Sequence, residues 1–256
     1  MKLQVDSVEL YYESYGQGQP IVFSHGWLNN CTIWTSQVGH FSKNYNVILY
    51  DHRGHGRSDK PKTGEGNYSV QVLANDLHAL VRKLDLEKPI LVGFSLGGMA
   101  ATLFALEHSD KISRLVLVGT TSKMTPPISA KALGILRMIL PYESFLRIVC
   151  KKYKFYRPSK RILDEEVSRG LEVVKSIASE CLKELTKNYD VRSKISEIRV
   201  PTLIIVGQED KVNLEASRYL NREVEGSELR IISDSGHTVM IEKPHEFNQI
   251  LEEFMK

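Results

Sequence analysis

Short, nearly unbroken apolar runs recur along the chain: Ile21-Val22-Phe23, Val47-Ile48-Leu49-Tyr50, Ile90-Leu91-Val92, Leu115-Val116-Leu117-Val118, Leu203-Ile204-Ile205-Val206 and Leu229-Arg230-Ile231-Ile232. Runs of this kind predict strands covered on both faces, as in a mostly parallel sheet. Between most of them the apolar positions return at helical spacing, over 70–84, 99–107, 214–223 and 244–254, the last opened by Pro244. Strand alternating with helix predicts an open α/β sheet, which binds ligands beyond the carboxyl ends of its strands. Upstream, the segments 3–5 and 8–15 alternate apolar with polar residues and are followed by the turn Gly16-Gln17-Gly18-Gln19-Pro20. They predict an antiparallel edge.

About eighty residues between Val118 and Leu203 carry no buried-strand signal. Their apolar positions recur instead at helical spacing: Ile128, Leu133, Leu136, Ile139 and Leu140, then Phe145, Ile148 and Val149, then Val167, Leu171, Val174, Ile177, Cys181 and Leu185. The expectation is a core domain of 1–122 and 200–256, with a helical cap of 123–199 inserted after the sixth strand. Seated over the strand ends, such a cap would exclude water from whatever lies there.

Chemistry-bearing residues fall just after the strands. Gly93-Phe94-Ser95-Leu96-Gly97 joins the run 90–92 to the helical segment that follows. A serine on so sharp a strand-to-helix turn needs residues with almost no side chain two positions to either side, and Gly93 and Gly97 meet that need. The turn lifts the Ser95 hydroxyl to a helix N-terminus, where negative charge is favoured. A serine nucleophile needs a base, and the base needs an acid that fixes its tautomer. Gly207-Gln208-Glu209-Asp210 and Ser235-Gly236-His237 follow the last two strands and supply both. His237 is the only one of eight histidines in a glycine-containing loop directly after a late core strand. Of Glu209 and Asp210, neighbours in a turn, only one side chain can face it. The developing oxyanion needs two backbone N–H donors. Leu96 N–H, next to the nucleophile, is one; Trp27 N–H, in the loop His25-Gly26-Trp27, is the other. Trp27, Trp34 and Phe94 are candidates to line an apolar acyl pocket, with Trp27 and Phe94 foremost.

Composition narrows the class further. The chain has 256 residues, 42% of them hydrophobic and 25% charged, with a formal net charge of +3. That is a globular composition, too weakly basic for nucleic acid, with no apolar run of membrane-spanning length. The first residues lack the apolar stretch of a secretory signal, so a soluble, cytoplasmic protein is expected. Cys31, Cys150 and Cys181 lack metal or redox spacing and are expected to be free thiols. From Lys123 to Arg161 there are ten Lys or Arg residues and one acid, Glu143. A solvated cap edge explains that run, and docking of an anionic acyl carrier through Lys151, Lys152 and Lys154 is the functional alternative.

Taken together these motifs resemble the α/β-hydrolase superfamily over nearly the whole chain. The resemblance includes His25-Gly26-Trp27 with Trp34, the Asp51-His52-Arg53-Gly54-His55-Gly56-Arg57-Ser58-Asp59 stretch, the serine elbow, the approach Val200-Pro201-Thr202-Leu203 to Asp210, and Gly236-His237 with Glu242-Lys243-Pro244. It implies a mostly parallel eight-stranded sheet, Asp210 as the acid of a Ser95-His237-Asp210 triad, and a purely structural 51–59 turn. An aspartate stands at the elbow of the family's epoxide hydrolases and dehalogenases, so Ser95 implies an acyl-enzyme instead. The expectation is a carboxylesterase needing no cofactor or metal and acting on a small-molecule ester. Esters of acyl carrier protein or CoA, enol-lactones and perhydrolase or haloperoxidase chemistry are the alternatives, with a slow ligand receptor that keeps the triad as a reading from another class.

Overall fold

The computed structural model describes residues 1–64, 66–124 and 140–256. The expected helical positions Ile128, Leu133, Leu136 and Ile139 lie outside the described residues. Eight strands form one sheet: β1 (Lys2–Val5), β2 (Val8–Tyr15), β3 (Pro20–Ser24), β4 (Asn46–Tyr50), β5 (Ile90–Phe94), β6 (Arg114–Val118), β7 (Thr202–Gly207) and β8 (Glu228–Ile232). Their spatial order is β1-β2-β4-β3-β5-β6-β7-β8. The β1/β2 and β2/β4 pairs are antiparallel, and every pair from β4/β3 to β7/β8 is parallel.

Strand side chains alternate between the two faces, so each central strand feeds two cores. Val22, Ile48, Leu91, Leu115, Leu117 and Ile204 meet helices α2 (Val70–Lys83) and α3 (Leu96–Glu107) on one face. Their neighbours Phe23, Leu49, Val92, Val116 and Ile205 meet α1 (Thr35–Phe41) and residues 239–255 on the other. This double cover is why those strands read as continuous apolar runs. The last run departs from that expectation: in β8 only Ile232 is buried, and Ile231 is 40% exposed. As the terminal strand, β8 pairs with β7 alone, and its sequence carries Glu228 and Arg230 toward water.

Between β6 and β7 the described residues form α4 (Tyr142–Val149), a π-helical turn (Cys150–Lys154), α5 (Lys160–Leu171) and α6 (Lys175–Asn188). They share a third apolar cluster built on Phe145, Leu146, Val167, Ile177 and Cys181, which Leu28 and Tyr68 of the core also join. After β7 come α7 (Leu214–Glu223), then α8 (Val239–Glu242) and α9 (Pro244–Met255). All three cysteines are free and buried. Among the described residues no helix is long and apolar enough to cross a membrane.

Candidate functional site

Four glycines leave room for the elbow where neighbouring backbone or side chains come too close for a Cβ. A Cβ on Gly93 would lie 2.6 Å from Gly97 O and Gly98 Cα, and one on Gly98 would lie 2.7 Å from Thr120 Cβ. A Cβ on Gly97 would strike Ser24 O and come within 2.6 Å of His25 O. Gly26 is equally confined: a Cβ there would lie 2.8 Å from the Phe94 ring and 3.3 Å from Ser95 Cβ, which seats the His25-Gly26-Trp27 loop beside Ser95. Ser95 itself has φ 52° and ψ −113°, a conformation seldom found outside glycine. Two backbone bonds hold it there: its N–H donates to Val118 O at 2.9 Å, and its C=O accepts from Thr120 Oγ1 at 2.8 Å.

Asp210 and His237 meet through Oδ2 and Nδ1 at 2.7 Å, leaving the histidine's Nε2 edge for a nucleophile. Glu209 does not share this bond. Asp210 is 2% exposed. Burial pushes its carboxyl upward, but the His237 ring and the Asn213 donors outweigh that and hold it below the usual carboxylate range. Asn213 gives it three bonds, from N–H to Oδ1 at 3.1 Å and from Nδ2 to Oδ1 and Oδ2 at 3.1 and 3.0 Å. His237 lies beside the elbow: its ring is 4.7 Å from that of Phe94, and its Nδ1 is 3.0 Å from where a Gly119 Cβ would stand.

Neither Trp27 N–H nor Leu96 N–H is engaged by an acceptor among the described residues. Leu96 N–H directly follows Ser95, and Trp27 N–H belongs to the loop whose Gly26 packs against Ser95. Leu96 is the first residue of α3, so the helix dipole adds to its donor. Phe94 is 1% exposed and packed between Trp34 and His237, so it offers a ligand little surface. Trp34 packs at tilted angles against Phe23 and Phe247 and belongs to the core rather than to a pocket wall. Trp27 is half-buried, with its indole N–H donating to Ala178 O of α6 at 3.1 Å.

Sequence reasoning missed four supporting residues, Asn213 above and three more. His25 is fully buried; its Nε2 accepts from His52 N–H at 3.0 Å, so its Nδ1 carries the proton donated to Gly26 O at 2.8 Å. That fixes the peptide that bears Trp27 N–H. Glu242 accepts from Gly236 N–H at 2.9 Å and from Tyr156 N–H at 2.8 Å, joining the His237 loop to the inserted helices. Lys154, expected on a solvated edge, is instead buried and donates to Glu166 Oε1 at 2.6 Å. It therefore cannot contribute to a docking face. In the 51–59 turn, Asp51 accepts from Cys31 and Arg57 N–H groups at 2.6 and 2.8 Å, and Arg53 grips Asp76 with two bonds of 2.5 and 2.6 Å. The Arg57 bond shapes the turn itself, and the Cys31 and Asp76 bonds tie it to the loop after β3 and to α2. Asn213 and Glu242 each follow a chemically marked residue closely in sequence, which is the one signal that could have found them. Among the described residues no group of three or more His, Cys, Asp or Glu side chains is arranged to hold a metal ion.

A family model described as alpha/beta hydrolase fold matches residues 19–144. An uncharacterized protein of Mycobacterium tuberculosis is 30% identical, covering 99% of this chain and 81% of its own. The 3-oxoadipate enol-lactonase 2 of Acinetobacter baylyi is 28% identical over 99% of this chain and 96% of that one. Est816, a solved structure described as an N-acyl homoserine lactone degrading enzyme, superposes with a TM-score of 0.87 at 29% identity, covering 99% of this chain and 100% of its own. The chain belongs to the α/β-hydrolase superfamily and is a hydrolase of that fold.

Proposed function

We propose that this protein hydrolyses carboxylic esters, lactones among them, through an acyl-enzyme on Ser95. The observation that carries the reading is the convergence at one end of the sheet: a strained serine at a helix N-terminus, a histidine bonded at 2.7 Å to a buried aspartate, and two unengaged N–H groups beside the serine. His237 Nε2 takes the Ser95 proton as Oγ attacks the ester carbonyl. Asp210 holds the imidazolium that forms. Trp27 and Leu96 N–H groups bind the oxyanion, each worth about 3 kcal/mol in the transition state. Collapse of the tetrahedral intermediate breaks the C–O bond, and His237 gives its proton to the departing alkoxide. A water molecule, deprotonated by the same ring, then releases the acid and restores Ser95. In a lactone the departing alkoxide stays attached to the acyl group, which the same steps accommodate. The ester and lactone substrates named for relatives support this class without fixing the acyl chain.

The test is steady-state hydrolysis of p-nitrophenyl esters from acetate to dodecanoate, together with an N-acyl homoserine lactone, by wild type and Ser95→Ala. Sustained turnover that falls by about 10⁴-fold or more in the variant is expected. Turnover surviving in Ser95→Ala would overturn the nucleophile, and a single burst of one product per chain would favour a ligand receptor.

A further inference from the structure

The loop that bears Trp27 N–H is held in an unfavourable shape. Leu28, next in the chain, has φ 60° and is 2% exposed. A non-glycine residue persists in that region only where its surroundings determine it. On the core side, His25 Nδ1 donates to Gly26 O. The peptide on the other side of Trp27 is held from the inserted helices: Lys154 Nζ donates to Trp27 O at 3.4 Å. Asn29 Nδ2, at 3.5 Å, adds a weaker contact to the same oxygen. The two peptide planes that meet at Trp27 Cα are thus fixed by different parts of the molecule.

Lys154 is built for a fixed position. Its residue is 7% exposed, and its ammonium is bonded to Glu166, which is 1% exposed. The other carboxylate oxygen of Glu166 accepts from Arg169 Nη2 at 2.9 Å and Nε at 3.2 Å. Two cations on one carboxylate leave a net positive charge, and the donor it directs toward the core meets the Trp27 carbonyl. The backbone of Lys154 also reaches the base loop, where its C=O accepts from Thr238 N–H at 3.2 Å. It ends a π-helical turn, a local widening that places its side chain and carbonyl on these two loops. Replacing such a buried triad by apolar side chains is often neutral or stabilising, so it is weak evidence of a role in stability.

We propose that Lys154, paired with Glu166, is a positioning residue that pins the Trp27 peptide from the cap side, so that the oxyanion donor is set by the inserted helices as well as by the core. This rests on the ester-hydrolase reading above. The experiment measures kcat and KM for p-nitrophenyl butyrate, and inhibition by butylboronic acid, whose tetrahedral adduct with Ser95 occupies the oxyanion position. The proteins compared are wild type, Lys154→Met, Lys154→Arg and Glu166→Gln, with far-UV circular dichroism as the folding control. Lys154→Met is expected to lower kcat by about 10- to 100-fold, leave KM within about twofold, and weaken the boronic acid by the same factor as kcat. Lys154→Arg should recover much of the loss. Should Lys154→Met fail to fold, Glu166→Gln, which keeps the ammonium but loosens it, should give a smaller loss of the same kind. A kcat within twofold of wild type, a loss that falls wholly on KM, or unchanged boronic acid inhibition would overturn the proposal. Activity that survives Ser95→Ala would instead overturn the reaction assignment on which it rests.

Discussion

Ser95 and Asp210 illustrate opposite ways in which folding prepares a side chain. Ser95 is held in a strained backbone by bonds to Val118 and Thr120, so the hydroxyl is presented before any substrate arrives. Asp210 is buried as an anion, and its Asn213 donors compensate for lost water. Replacing it by asparagine keeps the shape but puts an amide where a carboxylate should fix the Nδ1 proton of His237. Asp210→Asn is therefore expected to lower kcat by roughly 10³- to 10⁴-fold with KM little changed, read by steady-state kinetics on the preferred p-nitrophenyl ester. A loss of less than tenfold would move the acid elsewhere. Ser95, Asp210 and His237 stand out in the sequence because each lies within three residues of a glycine in the loop after an apolar run, and the fold brings Asp210 and His237 into contact. His25 and Lys154 were not, since what gives them meaning is a partner far away in the chain: His52 for one, Trp27 and Glu166 for the other.

Glycine placement governs how the elements fit. Gly97 lets β3 and its loop approach the first turn of α3, and a methyl group there would overlap the backbone of Ser24 and His25. Gly97→Ala should lower stability by about 2 kcal/mol or more and abolish ester hydrolysis, because the oxyanion loop must move. Gly39, on the exposed face of α1, is the contrast: nothing lies within 4 Å of an added Cβ. Gly39→Ala should raise stability by about 0.5–1 kcal/mol through helix propensity alone. Urea denaturation of both variants checks the pair, and a destabilised Gly39→Ala would contradict the open geometry. Element type was readable from periodicity, and α7 begins and ends where its apolar spacing did. The helix α1 was missed because its short sequence, TSQVGHF, has too few apolar repeats to announce it.

For the molecule as a whole, a buried trio of imidazoles sets an acid limit. His25, His52 and His55 are fully buried, with ring centroids 4.4 to 6.3 Å apart. Burial, followed by the neighbouring rings, pushes His25 well below its usual range; burial and His55 push His52 down to about 3, and burial pushes His55 down to about 4. In the unfolded chain these rings take protons below about pH 6.5, whereas in the folded protein they stay neutral. Their contribution to stability is therefore full above about pH 6.5 and is lost as the pH falls toward 4. By pH 5 the loss is roughly 2 kcal/mol for each of His52 and His55. Urea unfolding at pH 7 and pH 5 should show a fall of that order. Equal stability at the two values would mean that the rings can charge in place.

The order of strands and helices along the chain, the two-faced burial of the central strands and the serine and histidine candidates follow from local spacing, because periodicity and glycine flanks are properties of neighbouring residues, while the family resemblance singled out Asp210 from Glu209. The edge position of β8, the inward turn of Lys154 and the grip of the inserted helices on the Trp27 loop do not. Each depends on which distant segments come together, and a lysine reads the same in sequence whether water or a buried glutamate receives its charge. Only the folded chain, by bringing Glu166 and Trp27 to it, selects between them.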